Sequence, residues 1–534
     1  MRSWLLIAPI AYVVACSPKH SGTAGDAGDD ASPDAFTGPF PDFPASPIID
    51  PSAPSNSGSL FGAAGTGSAT GGPCMYEPEV GTLYPQNWLR PRFSWAASGS
   101  ENLFEIRVTS ANEVNPLVVY TAMTTWTMPA DIWTALSAHI VEQPITVTIR
   151  GATYDGSSML TSGPEIGTSG DIQIASVSAP GAIVYWTTSN GTGFRGFHIG
   201  DESVVTVASP SDDGSATLCI GCHSSTPDGT YVAYSATDNA GNGDPAMLGL
   251  MSSDGMHTKP PFISAAAMTL MQRVNQEAPQ FSKNHWQTGD HVAINMYPTD
   301  GNTSPGVYEI MWTDLEATST ATGTGYIART GDANHAANAS FAHTSDTILY
   351  VSAPSVSSGV TVTNGDIWTV PYNDRAGGSA SAVAGASGSD NEYYPSFSPD
   401  DQYIAYNVVM GGLSSYANPA AEVYVIPSGG GTRVRLAAND PPTCTNQGTS
   451  PGVENSWPKW APQANQGTNG NTYYWLTFSS IRNSPVAGPT PQLYVTPVVD
   501  DGTTLTTYPA LYLWNQPSDE HNHTPAWDFF EIVQ

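Results

Sequence analysis

Positive charge is what this chain most lacks. Of 534 residues, 16 are Lys or Arg against 47 Asp or Glu, and the formal net charge is -31. Nucleic-acid binders neutralise phosphates with a basic footprint, and anionic lipid surfaces attract basic segments. Both classes of partner are therefore disfavoured. Charged residues total only 12%, about half the usual share of a soluble domain. Long apolar runs are absent as well: nothing beyond the N-terminus reaches 18 consecutive apolar residues, the length that signals a spanning helix. There is no G-x-S-x-G elbow, no H-E-x-x-H and no phosphate-cradling loop, so the usual hydrolase and nucleotide signatures are missing.

Glycine and proline are plentiful, at 52 and 44 residues. They break helices and mark turns, which excludes a long-helix architecture. The hydrophobic share of 40% and the 14 Trp and 24 Tyr still suffice for a sizeable core. At roughly 100–200 residues per domain the length implies two to four domains. The composition describes an acidic, turn-rich, all-β protein.

Residues 1–16 read as an export address. Arg2 precedes an uncharged apolar run, Trp4 to Ala15, that is too short to span a bilayer and fits a secretory signal. It ends Val13-Val14-Ala15-Cys16, which resembles the lipobox of bacterial lipoproteins. That resemblance implies cleavage before Cys16, lipidation of Cys16, and a membrane held through the N-terminal lipid only. Ser17 stands where Asp would favour inner-membrane retention, so the expected place is the outer membrane, facing the periplasm or the exterior.

Residues 17–73 are dominated by Gly, Ser, Ala, Pro and Asp without apolar periodicity, and a flexible linker is expected there. From 74 to 174 short alternating runs appear, among them Phe104-Glu105-Ile106-Arg107-Val108 and Ile145-Thr146-Val147-Thr148-Ile149. Turn residues separate them at sandwich spacing. This stretch resembles a fibronectin type III or immunoglobulin-like β-sandwich.

Residues 175–534 repeat. Tyr394-Pro395-Ser396-Phe397-Ser398-Pro399-Asp400-Asp401 and the strand ending Ile404-Ala405-Tyr406 have partial copies. These begin near Ser225, Ala278, Ala339, Trp457 and Thr524. The pattern resembles the repeat of TolB-like β-propellers. It implies six four-stranded blades, the last opened by Thr524–Phe530 and completed by upstream strands within residues 181–208. The expected fold class is therefore all-β: a six-bladed TolB-like propeller after an N-terminal sandwich.

Of the five cysteines, two form Cys219-Ile220-Gly221-Cys222-His223, the C-x-x-C-H pattern of c-type haem attachment. Two thiols three apart reach the two vinyl groups of one haem, and the adjacent imidazole faces the iron. One covalent haem c is expected on Cys219 and Cys222, with His223 as iron ligand. The alternatives are a Cys219–Cys222 disulfide or half of a zinc site. Aligning the repeats places the motif in a loop before the innermost strand, with His521 level with Cys219 and His523 level with Gly221. His523 is the expected second iron ligand, ahead of His521, Met247, Met251 and Met256. His335, Tyr393, Tyr394 and Trp457 fall at comparable mouth positions.

Cys74 and Cys444 remain, and in an exported protein they are candidates for a disulfide between sandwich and propeller. The acidic turns Asp212-Asp213 and Asp400-Asp401 are candidate Ca²⁺ holders. The functional expectation is an exported electron-transfer protein, rather than an enzyme, serving a periplasmic or surface redox or scaffold partner. An open sixth haem position would instead permit peroxidase-like chemistry. The alternative is a haem-free envelope propeller that binds a protein or glycan.

Overall fold

The computed structural model describes residues 38–189, 191–238, 247–273, 276–299, 307–357, 361–443, 448–482 and 490–533. Cys16, Cys444 and the expected signal segment lie outside them. The chain is 45% strand and 7% helix, and among the described residues no helix is long and apolar enough to cross a membrane.

Two sheets form the N-terminal part. One is six-stranded, in the order Ile48–Ile49, Leu117–Thr121, Leu103–Thr109, Ile145–Tyr154, Leu160–Ile174, Leu83–Tyr84; the other holds Cys74–Glu77, Arg92–Ala96 and Thr125–Thr127. Alternation aims Phe104, Ile106 and Val108 of the first sheet, and Phe93 and Trp95 of the second, into one core. The linker expected over 17–73 is corrected for its described part, residues 38–73. Ile48–Ile49 pairs in parallel with Val119–Tyr120, and Phe43 and Phe61 are 1% and 0% exposed. A few large apolar side chains outweigh a composition that otherwise reads as unstructured. Arg150 fastens this segment, giving Nη1 to the carbonyls of Ala63 (3.1 Å) and Thr66 (3.0 Å). Its other side forms a fully buried ion pair with Glu105 (2.6 Å).

Beside two small two-stranded sheets (Ala328–Thr330 with Gly377–Ser379, and Ser355–Ser357 with Thr361–Thr363), the remaining strands make six antiparallel sheets, each opened by an inner strand. These are β1 (Thr217–Ser225), β2 (Gln276–Phe281), β3 (His335–Phe341), β4 (Asn391–Phe397), β5 (Ser456–Trp460) and β6 (Asn522–Asp528). Each is followed outward by its neighbours, as β4 is by Tyr403–Val409, Glu422–Pro427 and Val434–Arg435. The exception is β6, which pairs with the much earlier Ala182–Thr187, itself followed by Gly193–His198 and Val205–Ala208. Successive inner strands touch in a closed cycle, β6 meeting β1. Closure leaves no inner edge open to another chain.

The two parts share a core. Trp95 and Ile106 belong to the same buried cluster as Tyr185, Trp475, Leu493 and Trp527. Trp514 donates to the Arg90 carbonyl (3.0 Å), and Tyr473 donates to Glu142 (2.7 Å). The N-terminal sheets are thus packed onto the ring, not tethered beside it.

Candidate cofactor site in the central channel

Every inner strand breaks its pairing at an equivalent place, and β1 breaks once more, between Thr217 and Cys219. The equivalent breaks lie between Gly221 and Ser224, Gln276 and Gln280, Ala337 and Ser340, Tyr393 and Ser396, Ser456 and Lys459, and, in β6, His523 and Ala526. Four of them contain a proline: Pro279, Pro395, Pro458 and Pro525 have no N–H to give a ladder, so the strand bulges where they stand. Each bulge contains one residue in the left-handed region: Cys222 (φ 44°), Glu277 (75°), Asn338 (49°), Tyr394 (49°), Trp457 (60°) and Thr524 (46°). This conformation is strained for side chains of this size, and it persists where the surrounding structure over-determines it. All six side chains border one chamber of about 610 Å³ in the channel. Where pairing resumes stand Ser224, Gln280, Ser340, Ser396, Lys459 and Ala526, and these border a second, wider chamber of about 790 Å³. His223, Gln280 and Lys459 touch both chambers.

The C-x-x-C-H motif lies inside β1, not in the loop before it. Its residues take three different positions. Cys219 is partly exposed near the start of the strand, and Cys222 enters the first chamber. Gly221 lies under the indole of Trp186. Both cysteines are free thiols in this structure. Burial, with Glu277 and Cys219 adding to it, pushes the Cys222 thiol up to about 12. His223 stands where the other bulges carry Ala or Pro (Ala278, Ala339, Pro395, Pro458, Pro525). It is 6% exposed, its ring 4.5 Å from that of Phe194. Its Nε2 lies 3.0 Å from the carbonyl of Val184. A carbonyl only accepts, so Nε2 carries the proton. Burial holds the imidazole down to about 4, so the ring is neutral and Nδ1 bears a lone pair. That Nδ1 has no hydrogen-bond partner among the described residues.

Around it, Trp186 Nε1 and Thr524 Oγ1 are also buried without partners. His523 packs against Trp186 with ring centroids 4.8 Å apart, and burial lowers it too to about 4. His521 is exposed, with its backbone N–H on Ser189 Oγ (2.7 Å). The donor types are those a haem c takes, two free thiols at the required sequence spacing and a neutral imidazole with an unshared lone pair, although Cys219 does not border the chamber that Cys222 and His223 share.

Several expected residues are elsewhere. Met247 and Met251 sit on the third strand of the first sheet, separated from β1 by Tyr231–Asp238, and Met251 is core. Met256 is 72% exposed. None of the three is placed to reach the motif. His335 Nδ1 accepts from the N–H of Tyr308 (3.0 Å), which leaves it a structural role. Tyr393 is fully buried, while Tyr394 stacks on Trp457 at 3.7 Å in the first chamber.

The Ca²⁺ candidates are likewise spent on hydrogen bonds. Asp400 accepts from Ser398 and Tyr474, both at 2.7 Å. Asp401 accepts from the N–H groups of His343 and Thr344, both at 2.7 Å. Asp212 serves Ser209, and Asp213 serves Thr217 and Tyr234. Cys74 is disulfide-bonded; Cys444, its expected partner, lies outside the described residues.

Sequence reasoning missed Glu277, Asn338 and Lys459. Glu277 Oε2 accepts from the Asn338 N–H (2.7 Å) and Oε1 from its amide (3.0 Å), while burial raises the carboxyl well above the usual range. The signal was the register: each stands at the position of Cys222 or two places on.

No family model and no curated protein matches the chain. Among solved structures it is similar to the tricorn protease, at 14% identity and a TM-score of 0.28 over 75% of this chain and 44% of that one. It is also similar to Kuenenia stuttgartiensis hydrazine synthase, at 10% identity and a TM-score of 0.26 over 65% and 46%. The chain thus spans under half the length of these two structures.

Proposed function

We propose that the six-sheet ring is a six-bladed TolB-like propeller of an exported lipoprotein, and that it carries one covalent haem c on Cys219 and Cys222 with His223 as iron ligand. The observation that carries this reading is the unshared lone pair on buried His223 Nδ1, on the strand that also carries two free thiols at haem-attachment spacing. A bound haem would supply one-electron oxidation and reduction. The chain's own residues keep His223 neutral by burial, and Phe194 and Trp186 shut bulk water from the imidazole and the strand beneath it. His523 is the proposed second ligand, and its neutral ring is in the correct protonation state for that role. The partner is a periplasmic or surface protein, and the charge of -31 favours one with a basic face.

The test is a haem stain on a denaturing gel after export in a host with c-type maturation machinery. A stained band at the protein's own mass, lost in Cys219→Ala/Cys222→Ala, is expected. A colourless band from folded, matured protein would leave the second reading, a haem-free envelope propeller binding a protein or glycan. That reading draws on the stacked Tyr394 and Trp457, an aromatic platform already facing the first chamber. A spectrum unchanged by His523→Ala would remove His523 as ligand.

A further inference from the structure

We infer that the wider chamber of the channel binds a small oxygen anion, a carboxylate or a phosphate, held between Lys283 and Lys459. The argument begins from scarcity. The chain has four lysines, at 19, 259, 283 and 459, in a protein with 47 acidic residues. Most positive side chains elsewhere are matched to acids: Arg90, Arg92, Arg195, Arg329 and Arg433 are paired, and Lys259 lies 3.8 Å from Asp213, while buried Arg482 donates instead to the Ala438 carbonyl and to Asn455 Oδ1. Among the described residues Lys283 and Lys459 form no ion pair, and both border the same 790 Å³ space. A cation screened from water without a counter-ion is costly, and a wall carboxylate would relieve it. This acidic chain supplies none.

The single acid bordering the chamber, Asp528, is engaged by the Ser225 hydroxyl and by the N–H of Phe529 (2.9 Å). Glu277, the acid that attracts Lys459, borders the first chamber and not this one, and both its oxygens are taken by Asn338. Burial lowers Lys459 to about 8, which still leaves it mostly charged at pH 7. The hydroxyls of Ser340 and Ser396 also border the space and have no hydrogen bond among the described residues. Two cations and two free hydroxyls bordering one cavity, against one acid that is already engaged, make a lining rich in donors, which is the complement of an oxygen anion. This inference does not depend on the haem.

The experiment titrates the full-length protein with inorganic phosphate and, separately, with succinate, by calorimetry at ionic strength held constant with chloride. Saturable binding of at least one anion is expected, and which one saturates distinguishes phosphate from carboxylate ligands. Lys283→Ala should weaken it at least fivefold and Lys459→Met should abolish it, with Lys259→Ala unchanged. Lys283 stands partly exposed on a five-residue helix, so its variant keeps the test alive if Lys459→Met does not fold. Repeating the titration on Cys219→Ala/Cys222→Ala separates the anion site from the haem. Absence of saturable binding of both anions to folded protein, or binding indifferent to Lys283→Ala, would overturn the inference.

Discussion

The indole of Trp186 lies against the α-carbon of Gly221, so closely that a β-carbon there would stand 3.0 Å from Cζ2 and 3.1 Å from Cε2. The middle of the haem-attachment motif is therefore glycine for packing reasons alone, since its backbone is not left-handed. The same indole meets His523, so one side chain joins β1 to β6 at the ring's closure. Gly221→Val is expected to cost about 1–3 kcal/mol, the usual price of overpacking. A urea titration reads it. Because the clash has one partner, Trp186→Leu should absorb most of the loss in the double variant, a coupling expected only between touching residues. Additive losses would show that the clash lies elsewhere.

His223 makes stability depend on pH. Its folded value is held down to about 4 by burial, from an unfolded value of 6.5. The folded state therefore binds fewer protons than the unfolded one between those limits. The stability is fully present above about pH 6.5, is lost as pH falls through the window, and stops falling near pH 4. From pH 7.5 to 5 the loss from this one group is about 1–2 kcal/mol. His223→Gln should flatten that part of the profile in urea titrations, while lowering stability at pH 7.5 because the Val184 carbonyl loses its donor. An unchanged slope between pH 7.5 and 5 would mean the imidazole is not buried as described.

The two cysteines of the C-x-x-C-H motif should react very differently in protein without haem. Cys222, pushed up to about 12, holds only about one part in ten thousand as thiolate at pH 8, and it is the thiolate that reacts. Both side chains are partly exposed, so the contrast rests on the small thiolate fraction of Cys222. Brief iodoacetamide treatment of folded, haem-free protein should label Cys219 at least tenfold faster, as read by peptide mass mapping. Urea should equalise the two. Equal rates in the folded protein would contradict the small thiolate fraction of Cys222.

Much of this architecture is legible because the repeats carry their own punctuation. Pro395, Pro458 and Pro525 mark equivalent bulges, and alternating runs mark the strands beside them, so even the pairing of the last strand with residues near 185 follows from counting. The motif's place within β1 was not legible, because a bulged strand and a loop share the same turn-like residues. Glu277 was hidden for a related reason: β2 carries one residue more in its bulge than the other inner strands, which displaces its alignment. Residues 38–73 misled through composition. Phe43 and Phe61 are two apolar residues among many small ones, and only the Arg150–Glu105 pair and its carbonyl contacts reveal why that segment stays down. Lys459 looked like an ordinary strand residue until its neighbours proved to be Ser, Gln and Ala around one cavity.

Closure of the ring by β6 sets the last prediction. Asn522–Asp528 supplies the inner strand to a sheet whose other three strands come from residues 182–208. Behind it Trp527 donates to the Pro180 carbonyl (2.7 Å), and Phe530 and Ile532 are 2% and 7% exposed in the cluster that holds Val184, Phe194 and Ile220. A chain stopped after Glu520 would lose those contacts and bare the backbone edge of Ala182–Thr187, an unpaired template for other chains. It is expected to elute as aggregate in size-exclusion chromatography. Co-expressing residues 521–534 as a separate peptide should restore monomer-sized protein, because a strand can be added to an open edge through main-chain hydrogen bonds. A truncated chain that remains monomeric with an unchanged far-ultraviolet spectrum would show that the ring holds without its closing strand, and would leave Trp186 and Gly221 as the contact to examine next.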